Sequence, residues 1–94
     1  MQFSDLEFQN TNIPKGIQSV VNFGEYELSI VRNSVSYGTM SGLYEIAVFK
    51  HGEQTPLDGV TEDYDSVKGF LTENEVSDIL LKMTEITQNM GEQV

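Results

Sequence analysis

The hydrophobic period of this chain changes once, at Leu71, and that change constrains the fold more than any other feature. Before it, Tyr26, Leu28 and Ile30 alternate with Glu27, Ser29 and Val31, the period-two pattern of a half-buried strand. After it, Val76, Ile79, Leu80, Met83 and Ile86 fall on one stripe at helical spacing. The pattern predicts a mainly β fold of the α+β class: antiparallel strands first, one C-terminal helix last.

The helix carries its own start signal. Thr72-Glu73-Asn74-Glu75 spells a capping box, in which the Thr72 hydroxyl accepts from the Glu75 amide while the Glu75 carboxylate reaches back to the Thr72 amide. Leu71 and Val76 occupy the two positions of a hydrophobic staple, and Glu73, Glu75 and Asp78 suit the positive end of the helix dipole. The helix is expected over 72–87, with 88–94 as a flexible tail.

Upstream, residues 17–23 are rich in β-branched and aromatic types, and Gly24-Glu25 can turn them into 26–32 as a hairpin. Residues 33–42 are dense in Ser, Gly, Asn and Thr, the chemistry of a loop. In 43–50, Tyr44, Ile46 and Val48 lie on one face and Leu43, Ala47 and Phe49 on the other, which predicts a central strand buried on much of both sides. His51-Gly52-Glu53 turns, 55–57 is expected as a short edge strand bearing Pro56, and Asp58-Gly59 marks another turn. A last strand covers 66–70, with Gly69 as a bulge position. Residues 1–16 are expected as an arm or a short helix, and the 94 residues as one domain.

Charge narrows the function classes. Five basic residues stand against fifteen acids, a net charge of −10, and the imbalance is uneven. Residues 1–50 hold five acids and three bases, or −2, whereas 51–94 hold ten acids and two bases, or −8. Such a field repels phosphate backbones and anionic membranes and attracts basic protein surfaces. Glu62, Asp63 and Asp65 are therefore the candidate partner-binding residues. The absence of cysteine removes disulfides and thiolate metal sites together. No apolar run is long enough to span a bilayer, and no leader-like segment opens the chain, so a cytoplasmic, membrane-free protein is expected.

Catalytic constellations are not visible. His51 is the one histidine and sits in a predicted turn, where exposure without chemistry is the simpler reading. Asp58, Glu62, Asp63 and Asp65 could offer oxygen ligands to a hard cation, but their spacing does not match a calcium loop and a solvated acidic loop explains them. Glu25, Glu27 and Glu45 lie on strands as exposed acids. Tyr26, Tyr37, Tyr44, Phe49 and Phe70 could stack bases, although core packing accounts for them more simply. No cofactor, no metal and no enzyme activity are expected.

Three blocks carry a resemblance: Leu28-Ser29-Ile30-Val31-Arg32, then Ser36-Tyr37-Gly38 with Gly42-Leu43-Tyr44-Glu45-Ile46-Ala47-Val48, and Val67-Lys68-Gly69-Phe70-Leu71-Thr72-Glu73. In these the chain resembles small proteins of tailed bacteriophages of the marine cyanophage type, a family without an assigned activity. The resemblance implies a small, strongly bent Sm-like β-barrel of about five antiparallel strands over 17–71, subunits assembled as a homo-oligomeric ring, and the cytoplasm of an infected host cell. RNA-binding Sm proteins carry a basic-glycine motif on a late strand, and Val67-Lys68-Gly69 matches it poorly. Two readings follow. The first is a non-enzymatic oligomeric module that binds a host protein with a basic surface. The alternative is an Sm-like nucleic-acid binder using Arg32, Tyr37 and Lys68.

Overall fold

The computed structural model describes residues 1–34 and 41–92. After a single 3₁₀ turn at Phe3–Asp5, the strands are β1 (Gln9–Asn12), β2 (Lys15–Phe23), β3 (Tyr26–Asn33), β4 (Tyr44–Lys50), β5 (Glu53–Gln54) and β6 (Val67–Leu71), followed by helix α1 (Glu73–Glu92). Among the described residues these strands pair antiparallel, in the order β1-β2-β3-β4. The far side of β4 is divided: β5 pairs with Phe49 and Lys50, and β6 pairs with Tyr44, Ile46 and Ala47. Between them Val48 donates its amide to the Ser66 carbonyl and accepts from the Thr55 amide, each at 3.0 Å. The mainly β, single-helix architecture agrees with the hydrophobic pattern. The sheet does not close, because β1 lies at one end of the strand order and the β5/β6 edge at the other.

Registry explains the core. Leu28 faces Val48 and Ile30 faces Ile46, so directly opposed residues share one side of the sheet. On that side Leu28, Ile30, Ile46 and Val48 are wholly buried together with Val76, Leu80 and Met83 of α1. Phe3, Phe8 and Tyr44 close one end with ring centroids 5.0–5.8 Å apart, and the Phe3 amide donates to Ser77 Oγ at 2.7 Å, tying the N-terminus to the helix. On the other side of β4, Glu45, Ala47 and Phe49 are only half-buried, so the expected two-sided burial is partial.

Four expectations change. Residues 9–12 form a strand rather than part of an arm or helix, because β2 extends back to Lys15 and presents a paired edge. The short strand after β4 is Glu53–Gln54, not 55–57: the two-residue turn His51-Gly52, with φ of 52° and 82°, sets Lys50 against Glu53, and Pro56 has no amide to continue the ladder. Phe70 is 63% exposed rather than a core aromatic. The helix runs through 92, so residues 88–92 are not a non-helical tail. The bulge near Gly69 is present: Gly69 and Phe70 together oppose Glu45, and Phe70 takes the left-handed φ of 59°.

The capping box forms as read. The Thr72 amide donates to Glu75 Oε1 at 3.0 Å and the Glu75 amide to Thr72 Oγ1 at 3.1 Å. Chiefly through the Thr72 amide, then its side chain, the Glu75 carboxyl is held below its ordinary value of 4.5. A depressed carboxyl contributes stability above its unfolded value and loses it as pH falls through the folded one. Removing the cap by Thr72→Ala should lower stability by about 1 kcal/mol at neutral pH. Thr72→Ala keeps the amide that holds the Glu75 carboxylate, so the pH-dependent part is removed by Glu75→Ala instead. The deficit of that variant should shrink below pH 4.5, and urea titrations at pH 7 and pH 3 giving equal deficits for it would contradict this.

Candidate functional site

Residues 57–65 connect β5 to β6 as a packed loop turned acid-side out. Leu57 and Val60 are buried, and Val60 and Thr61 donate their amides to the Leu57 carbonyl at 3.0 and 2.9 Å. The Leu57 amide donates to the buried Thr61 Oγ1 at 2.8 Å. Gly59, at φ of 88°, lies against the helix: a Cβ there would stand 2.9 Å from Lys82 Cε. With the inner side anchored, Asp58, Glu62, Asp63 and Asp65 all face solvent.

The tip is a β-turn over 62–65, closed by the Asp65 amide donating to the Glu62 carbonyl at 3.1 Å. Its third residue, Tyr64, has φ of 67°, the position where a type II turn favours glycine or asparagine. Tyr64 is also 99% exposed, so no burial of its ring offsets that conformation. The Asp65 carboxylate then accepts the Val67 amide at 3.1 Å, which turns the chain into β6. Phe70 on the bulge and the carboxylates of Glu45 and Asp65 line one shallow depression beside this turn.

Of the residues singled out by sequence, the structure brings Glu62, Asp63 and Asp65 together on one turn. Lys68 belongs to the same neighbourhood, with its Nζ 3.6 Å from Glu62 Oε1. Both groups are well exposed, so the pair adds little stability. Arg32 lies apart, on β3 across β4 from Lys68, with its guanidinium carbon 5.3 Å from the Tyr44 ring centroid. Tyr37 lies outside the described residues. His51 is exposed in its turn, 3.7 Å from Glu25 Oε1. Among the described residues no group of three or more His, Asp or Glu side chains is placed to hold a metal ion, and no helix is long and apolar enough to cross a membrane.

Sequence reasoning passed over Tyr64. The one available signal was its position amid four acids in a segment without glycine at the turn's third place. Exposure and φ depend on how Leu57, Val60 and Thr61 dock, which no local pattern encodes. Compared with protein-family models, with curated proteins and with solved structures, the chain matches none.

Proposed function

We propose that the protein is a non-enzymatic binding module that engages a basic protein surface through the acidic turn over 62–65. The observation that supports this reading is Tyr64: a wholly exposed aromatic ring held at a left-handed φ, with Glu62, Asp63 and Asp65 on the same turn. A tyrosine in that conformation is less stable than glycine by about 1 to 2 kcal/mol. A purely structural turn would do better with glycine, whereas an aromatic beside carboxylates suits cationic side chains, which bind ring faces and acids together. An association of this kind weakens as salt rises.

Tyr64→Gly separates the two roles. The variant should be as stable as the wild type or more so, yet retain less of a partner protein in a tagged pull-down. Glu62→Gln/Asp63→Asn/Asp65→Asn should reduce the same retention by tenfold or more at low salt. Undiminished retention by both variants would sink the proposal. Nuclease-sensitive recovery of RNA would instead promote the Sm-like reading with Arg32, Tyr37 and Lys68, which the proximity of Lys68 to Glu62 disfavours.

The assembly belongs to the same proposal. The outer edge of β1, without a partner strand among the described residues, and the β5/β6 edge suit pairing between neighbouring copies, so that a sheet open within one chain continues into a ring, the oligomeric form of the Sm-like barrel. Light scattering at the monomer mass across concentrations would argue against the ring. A bacteriophage origin and action in the host cytoplasm go with the family resemblance and with this reading.

A further inference from the structure

At the edge of the sheet remote from the acidic turn, two of the five bases of this chain, Lys15 and Arg32, share one cleft. Registry sets Asn10 opposite Ile17 and Ile17 opposite Arg32, while Asn12 is opposite Lys15. Opposed residues share a face, so Asn10, Asn12, Lys15, Ile17 and Arg32 all belong to the side of the sheet that carries the core, and together they line one open cleft across β1, β2 and β3.

Two features shape its floor. Arg32 is half-buried and its guanidinium carbon lies 5.3 Å from the Tyr44 ring centroid, an arrangement that restricts the guanidinium plane while leaving its N–H donors available at the rim. Tyr44 is itself packed against Phe3 and Phe8, so the support is rigid. Gly16 brings β2 and β3 unusually close: an added Cβ would run into the Arg32 carbonyl oxygen and lie 2.5 Å from Asn33 Cα. Lys15 and Arg32 have no carboxylate at salt-bridge distance among the described residues, although the chain holds fifteen acids.

We propose that this cleft binds a small tetrahedral oxyanion, a phosphate or phosphate monoester. The guanidinium fork of Arg32 pairs with two of its oxygens, Lys15 adds a point charge, and the side-chain amides of Asn10 and Asn12 donate to the rest. Arginine and lysine divide the work as elsewhere in phosphate recognition, one supplying geometry and the other charge. The site is distinct from the acidic turn in position and in sign, so either can fail without the other.

The test is a titration of the ¹⁵N-labelled full chain with inorganic phosphate, followed by NMR at fixed ionic strength with chloride as the balancing salt. The Arg32 Nε–Hε and the Asn10 and Asn12 side-chain amide signals should move along one saturating curve. Arg32→Lys keeps the charge and loses the fork, and should weaken binding by about tenfold. Lys15→Gln, an exposed change at a strand start, should weaken it severalfold and guards against misfolding of the Arg32 variant. A phosphomonoester that binds tighter than phosphate would identify the monoester as the ligand, whereas equal affinity would assign the site to the free ion. Shifts that chloride alone reproduces, that never saturate, or that persist unchanged in both variants would overturn the proposal.

Discussion

Replacing Ile46 by alanine is expected to destabilise the protein by about 3 to 4 kcal/mol. Ile46 has no solvent exposure. It sits mid-strand in β4, opposite Ile30 on β3 and Lys68 on β6. Strands on both flanks hold the backbone in place, so the space left by three deleted carbons cannot collapse easily. The loss then includes a cavity contribution beyond simple transfer to water. For a chain of this size the change corresponds to a fall in Tm of roughly 12 to 30 °C. Total stabilities of such domains are about 5 to 15 kcal/mol, so the variant should still fold in the cold. Differential scanning calorimetry of Ile46→Ala beside Ile46→Val decides it: the valine variant should lose only about 1 kcal/mol, and a loss below that for alanine would mean the core is loosely packed there.

Gly16→Ala should be nearly as damaging, at about 2 to 3 kcal/mol, for the opposite reason. Glycine inside a strand is ordinarily a weakness, and alanine would be expected to stabilise by restricting the unfolded chain. Here the added carbon meets backbone, the Arg32 carbonyl and Asn33 Cα, and neither atom can swing aside as a side-chain tip could. Pairing of Gly16 with Asn33 and Ile17 with Arg32 would have to open. A urea midpoint equal to or above wild type would show that β2 and β3 separate at that end without penalty.

These two positions also show what could be read in advance. Ile46 was legible as a buried strand residue because 43–50 is apolar on both faces, whereas the choice of its side as the core side came only with the pairing to β3. Gly16 was not, since its requirement arises from how closely β3 approaches, a fact of tertiary pairing. The same division holds for the elements. The hairpin around Gly24 and the helix start at Thr72 are written in short-range chemistry, and both formed. β1 was missed because Gln9, Asn10, Thr11 and Asn12 offer mostly polar amides with weak strand preference, and only the edge of β2 makes them a strand. At the acidic turn the charges were visible as a composition bias, while the exposure of Tyr64 rested on the burial of Leu57 and Val60 behind it.

The divided edge of β4 has a consequence for how the chain emerges during synthesis. The meander β2-β3-β4 is made of neighbours in sequence and can pair early. Its apolar side stays incompletely covered until α1 arrives, because Val76, Leu80 and Met83 belong to the same buried cluster as Leu28, Ile30, Ile46 and Val48. A ribosome-bound chain halted before β6 would thus present a ready-made sticky surface. Chains cut short there should be captured by chaperones or precipitate, and helix α1 acts as the lid that completes the cover.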